Sequence, residues 1–255
     1  METLLVDRAA GVLTVTLNRP ERLNAAPVLM WRELTEVFSQ ARLGDEDRVV
    51  VVTGAGGAFC AGADLTEIEG DAHPLVYMRA VNDAALALHR LPQPSIAKVD
   101  GVAVGAGCNL AFGCDLVVAS SEARFSEIFS RRGLSLDFGG TWLLPRRVGL
   151  HRAKEIAFFA EILSAPAAEE LGLVNRVVPR EELDSFVADW ARRLAGGPPL
   201  ALSATKAMLD DSNSTGFAEA LEREATAQVV NIVSEDGREA LNAFLEKREA
   251  VFKGR

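Results

Sequence analysis

Twice in this chain a short apolar run leads straight into a glycine-rich loop. Val49 to Val52 feeds Gly54-Ala55-Gly56-Gly57-Ala58-Phe59-Cys60-Ala61-Gly62-Ala63-Asp64-Leu65, and Ser95 to Val99 feeds Asp100-Gly101-Val102-Ala103-Val104-Gly105-Ala106-Gly107-Cys108-Asn109-Leu110. A near-continuous apolar run of this length suits a strand buried on both faces, as in a sheet covered by helices. Small residues in the loops let the backbone approach a ligand closely and allow φ > 0. The second loop opens onto a short helical segment, and a helix N-terminus presents free N–H donors with a partial positive charge. Two such loops can converge N–H groups on one oxygen, which is the requirement for an oxyanion hole.

The rest of the chain reads as an α/β core followed by helices. Val12 to Leu17 alternates as a half-buried strand does and stops at Asn18-Arg19-Pro20; Pro27 opens an apolar-periodic helix through about Arg42. A helical stretch around Tyr77 to Leu91 is closed by Pro92 and Pro94, and Asp115 to Ala119 reads as another short buried strand. Everything after about Arg180 is helix-like, broken at Gly196-Gly197-Pro198-Pro199. This division sets a core at 1–196 and a helical C-terminal region at 197–255. No repeat of 20 to 50 residues and no low-complexity segment points to a solenoid.

Composition narrows the function classes. The net charge is −9 and no basic tract occurs, so a nucleic-acid role has little support and an anionic ligand needs a local basic site. No apolar run approaches the roughly 20 residues that cross a bilayer, and the N-terminus lacks a basic segment followed by an apolar one, so a cytoplasmic protein off the membrane is expected. Cys60, Cys108 and Cys114 form no C-x-x-C pair and read as buried reduced thiols. His73, His89 and His151 have no metal-ligand spacing, and no metal is expected. The second loop has Leu110 where the third glycine of a dinucleotide fingerprint falls, and there is no P-loop, nucleophile elbow or H-E-x-x-H helix.

The order Asn18-Arg19-Pro20, Leu23-Asn24-Ala25, Ala58 through Leu65, Gly101 through Asp115, Gly139-Gly140-Thr141 with Leu144-Pro145-Arg146, and Phe244-Leu245-Glu246-Lys247-Arg248 resembles the enoyl-CoA hydratase/isomerase (crotonase) superfamily across essentially the whole chain. The resemblance implies an α/β fold of repeated β-β-α units with a helical C-terminal trimerisation region, a homotrimer or dimer of trimers, and a coenzyme A thioester as substrate, with no separate cofactor. It implies oxyanion-hole N–H groups at Ala61 and Ala106. It sets Arg22, Leu23 and Ala25 along the CoA path and Ala63, Asp64 and Leu65 beside the adenine and pantetheine. Gly105, Asn109 and Phe129 join the substrate-contacting positions. Lys247, from this or a neighbouring subunit, is a candidate for the nucleotide phosphates, since an ammonium pairs with phosphate oxygens as a point charge; a solvated helix face is the alternative.

The family's hydratases use two glutamates, and here those positions hold Asn109 and Phe129. Asn cannot accept a proton at neutral pH. One carboxylate, Asp137, falls where related isomerases carry their base. Flanked by Leu136 and Phe138, it is expected to be partly desolvated and so a better base, although an Asp before Gly139-Gly140 also suits a helix cap. Glu127 is a second candidate, against a capping role for Ser126-Glu127. A single carboxylate suffices to move a proton between two carbons of a stabilised enolate, so isomerisation is preferred over hydration. The alternatives are a hydratase with atypical acid/base residues, another enolate reaction such as dehalogenation or hydrolysis, or a non-catalytic acyl-CoA-binding paralogue.

Overall fold

Apolar alternation and buried runs become two sheets in the computed structural model, which describes residues 1–67 and 73–255. Among these residues the strands are β1 (Leu4–Ala9), β2 (Val12–Leu17), β3 (Val49–Gly54), β4 (Ser95–Val99), β5 (Val102–Val104), β6 (Leu116–Ser120), β7 (Arg124–Ser126), β8 (Leu163–Ser164) and β9 (Arg176–Val178). The main sheet has the order β1-β2-β3-β4-β6-β9, parallel except for the β1–β2 hairpin, and the second has the order β5-β7-β8. The helices are α1 (Val28–Leu43), α2 (Pro74–His89), α3 (Ala106–Gly113), α4 (Gly140–Phe159), α5 (Ala165–Glu170), α6 (Leu183–Ala195), α7 (Pro199–Asp211), α8 (Phe217–Val233) and α9 (Glu235–Glu246).

The run at β3 is buried on both faces for the period-2 reason the sequence suggests. Val50 and Val52 join a large core with Trp31, Leu34 and Phe38 of α1, while Val49 and Val51 meet Val187 and Ala191 of α6 on the other side. The sheet is thus sandwiched between helices. The three cysteines are buried and unpaired, as expected.

Five strands lie outside the segments read as strands from sequence. β1 precedes Val12 and pairs with β2 in register Ala9↔Val12; its residues after Leu4 are exposed, so no apolar pattern marks it. β5, β7, β8 and β9 have three residues or fewer, too short for periodicity to register. They matter, because β5 is the segment that the first glycine loop reaches. The region after Gly197 is helical as expected, but it has almost no interior of its own: no residue of α7 or α8 is buried, and Leu221 and Val229 are exposed in the single chain. No helix among the described residues is long and apolar enough to cross a membrane.

Candidate active site

The two glycine loops are joined by backbone hydrogen bonds. The N–H groups of Phe59 and Cys60 donate to Val102 O at 3.0 Å each, and Val104 N–H donates to Cys60 O at 2.9 Å. Asn24, fully buried, holds the first loop from the other side: its Nδ2 donates to Ala55 O at 2.9 Å and Ala58 O at 2.8 Å, and its Oδ1 accepts from Arg19 N–H. Ala26 then pairs with the loop strand-fashion, its N–H donating to Gly62 O at 2.7 Å while Asp64 N–H donates to Ala26 O at 2.9 Å. Gly62 has φ +93°, and a Cβ there would lie 2.7 Å from Val104 O, so only glycine lets the loops come this close.

This pairing decides which N–H groups face a ligand. Ala61, expected from sequence as the first donor, spends its N–H on Leu23 O at 2.9 Å. Two residues on is Ala63, and among the described residues its N–H meets no acceptor. The physical reason is alternation: once Gly62 and Asp64 pair with Ala26, Ala63 turns its N–H away from that partner. Ala106 is the first residue of α3, so its N–H lies outside the helical ladder and is also unspent. The N–H expected at Ala61 is thus already engaged, while those of Ala63 and Ala106 are unspent.

Both free N–H groups open into one cleft of about 500 Å³. Ala61, Ala63, Leu65, Gly105, Ala106, Phe129 and Asp137 line it, with Tyr77, Met78, Leu134 and Leu136 as apolar wall. Phe59 is core, and Leu86, Phe138 and Trp142 border a separate apolar hollow of about 280 Å³. Arg32 and Arg132, unmarked by any motif, also line the cleft and form no ion pair among the described residues, supplying the basic site that an anionic ligand needs. Arg22 and Leu23 are exposed beside it, and neither they nor Ala25, Asp64 and Lys247 form its wall. Asp64 is held by Arg19 at 2.8 Å and Thr66 at 2.7 Å, which keep its carboxyl below the usual range against the opposing effect of burial. Lys247 sits exposed in the left-handed C-cap of α9.

Asp137 caps nothing: the N-cap of α4 is Gly139, without a side-chain hydrogen bond. Its Oδ1 is buried with no partner, and burial pushes its pKa up to about 7. Glu127 does not line the cleft. It lies behind, only 1% exposed, and makes no side-chain cap. Burial first, and then the charge of Asp137, push Glu127 up to about 8. Between them stands Asn109, whose Nδ2 donates to Glu127 Oε2 at 3.2 Å and to the backbone oxygen of Asp137 at 3.1 Å. Asn109 thus takes no place on the cleft wall, and a Cβ on Gly140 would fall 2.5 Å from its Nδ2. Among the described residues no cluster of His, Cys, Asp and Glu could hold a metal.

Two unspent backbone donors and, among the described residues, one carboxylate line the same cleft, an arrangement that can stabilise an enolate and move its proton. Known proteins share the fold. The enoyl-CoA hydratase/isomerase family model matches residues 7–255. A 1,2-epoxyphenylacetyl-CoA isomerase of Escherichia coli (strain K12) is 40% identical over the full length of both chains, and a probable enoyl-CoA hydratase of Rhodobacter capsulatus is 39% identical over 99% of this chain and 98% of its own. The crystal structure of an enoyl-CoA hydratase from Bacillus anthracis superposes with a TM-score of 0.95 at 33% identity, covering 99% of this chain and 100% of that one. With two glycine loops joined as in that fold and matches spanning the chain from end to end, this protein belongs to the enoyl-CoA hydratase/isomerase family, the crotonase superfamily.

Proposed function

We propose that the chain is an acyl-CoA isomerase in which Ala63 and Ala106 N–H groups hold the thioester oxygen and Asp137 carries the proton. The observation behind this reading is that Asp137 is the sole carboxylate lining the cleft among the described residues, with a pKa near neutrality. Its carboxylate takes a proton from a carbon activated by the thioester, the electron pair moves onto the oxygen as an enolate or dienolate, and the same proton returns to another carbon of the conjugated system. Nothing is gained or lost overall. Adding water needs a group to activate it and another to manage the proton at carbon 2, and the cleft offers one. The isomerase named in Escherichia coli supports the reading; relatives named hydratases keep hydration as the competing one. Arg32 and Arg132 support an anionic ligand such as coenzyme A.

Incubation with 2-enoyl, 3-enoyl and aromatic acyl-CoAs in D2O, followed by mass analysis, tests this reading. Isomerisation yields products of unchanged mass apart from exchanged deuterium. A product heavier by one water overturns it in favour of hydration, and tight binding without turnover or exchange leaves a binding protein.

The C-terminal helices support assembly as a homotrimer or a dimer of trimers. Phe217 and Phe244 are 82% and 80% exposed, and Val229, Ile232 and Val233 of α8 also face outward. A soluble chain rarely leaves that much apolar surface uncovered. Light scattering at micromolar concentration is expected to give three or six times the chain mass of 27.3 kDa, and a monomeric mass would refute this assembly.

A further inference from the structure

Of the five buried side-chain polar atoms without a hydrogen-bond partner among the described residues, three belong to adjoining residues: Asn109 Oδ1, Glu127 Oε1 and Asp137 Oδ1. The side chains converge from three elements. Asn109 stands on α3, whose first residue is Ala106; Glu127 follows β7; Asp137 precedes α4. The amide of Asn109 bridges the other two segments through one nitrogen, at 3.2 Å to Glu127 and 3.1 Å to the Asp137 backbone. Gly140 packs closely on that amide, where a Cβ would fall 2.5 to 2.9 Å from its atoms.

From this arrangement we infer that Glu127 is a positioning residue for Asp137: through Asn109 it fixes the loop that carries the base, and by keeping its own proton it leaves Asp137 the one negative charge of the pair. This rests on the reading of Asp137 as the base. The charge argument follows from what surrounds the pair. Glu127 is faced by Asn109, by Asp137 and by the thiol of Cys108, and Asp137 has Cys60 near it. Burial raises both thiols, Cys60 to about 12, so each stays neutral. No cation contributes to the shift of either carboxyl. Two carboxylates in such a site cannot both ionise cheaply, and the proton stays on the more buried one. Glu127 is 1% exposed while Asp137 reaches the cleft, so Glu127 keeps it. When Glu127 does ionise, a second buried negative charge opposes the enolate that Ala63 and Ala106 must stabilise, and turnover falls.

The test compares pH profiles of wild type and Glu127→Gln, using exchange of the C2 hydrogens of butanoyl-CoA in D2O as the probe. Gln keeps an acceptor for Asn109 Nδ2 but cannot ionise. Wild-type turnover is expected to rise as Asp137 ionises and to fall again around pH 8, whereas Glu127→Gln keeps the acid limb and loses the alkaline fall, with KM within about twofold. Infrared difference spectra at about pH 6 and about pH 9 give a readout independent of turnover: beside the protonated Asp137 that both proteins share at the lower pH, the wild type shows a second protonated-carboxyl band that Glu127→Gln lacks. Asn109→Ala, which cuts the bridge but leaves Glu127, is expected to lower turnover at every pH while the alkaline fall persists. An unchanged alkaline fall in Glu127→Gln, or an infrared spectrum without that band, overturns the inference. Failure of the base assignment looks different: Glu127→Gln then abolishes exchange at every pH while Asp137→Asn retains it.

Discussion

Replacing Asp137 with Asn is expected to lower turnover by roughly 10²-fold or more, the scale of general acid–base catalysis, while acyl-CoA binding survives. Asn is nearly the same shape, and the groups that hold this loop, Asn109 Nδ2 and Gly140 N–H, bond to the backbone oxygen of residue 137 and not to its side chain. The fold should therefore gain stability from the change. Asp137 has a folded pKa of about 7 against an ordinary 3.8, because burial disfavours its charge. The protonated form is the one the fold prefers, so its contribution is fully present below the ordinary value and is lost as the pH rises through about 7. Asp137→Asn should accordingly melt higher than wild type above neutrality, with the difference fading toward about pH 4. A residue whose removal stabilises the protein and silences it is one retained for chemistry. Parallel melting curves and turnover assays check both halves, and full turnover in Asp137→Asn would remove Asp137 from the mechanism.

The second large effect is expected from Ala106→Pro, at roughly 10²-fold or more in turnover, or about 3 kcal/mol of transition-state stabilisation. Proline removes the N–H, and its ring carbon takes the place of that proton in the open cleft, so both changes act at the same thioester oxygen. The fold is well placed to accept it. Ala106 is the first residue of α3, where a proline costs no helical hydrogen bond and its fixed φ suits the helix. Ala106→Gly keeps the N–H and should cost far less. A ligand-bound structure adds the geometric check: the thioester oxygen is expected about 2.7–3.1 Å from the nitrogens of both Ala63 and Ala106. An oxygen bound at Ala61 instead would require the bond from its N–H to Leu23 O to break, and would overturn the assignment to Ala63.

Glu127 shows how far local sequence reaches. Ser126-Glu127 before a helical turn has the look of a cap, and Asp137 before two glycines has the look of another. Neither caps anything: the Glu127 side chain bonds Asn109 of α3, about twenty residues earlier in the chain, and Asp137 lines the cleft. The two arginines of the cleft are likewise legible only in space. Arg32 lies on the exposed side of α1 and Arg132 in a short turn, and no spacing connects them.

Features that depend on neighbours in the chain were readable from the sequence. The buried run of β3, the alternation of β2, the proline-opened α1 and the glycine loops after β3 and β4 all follow from local sterics and periodicity, and the linear order of motifs was enough to identify the superfamily. Asp137 was readable as a candidate base only through that resemblance, since its local sequence before two glycines suits a helix cap as well. Tertiary pairing decided the rest. Whether Ala61 or Ala63 keeps a free N–H depends on Ala26 bonding to Gly62 and Asp64, a contact across more than thirty residues. The positions of β5 and β7, three residues each, depend on what they pair with. The proton on Glu127 depends on burial and on a charge brought in from α4's approach, and a pKa is set by the surrounding medium and by distances in space, which the order of residues does not contain.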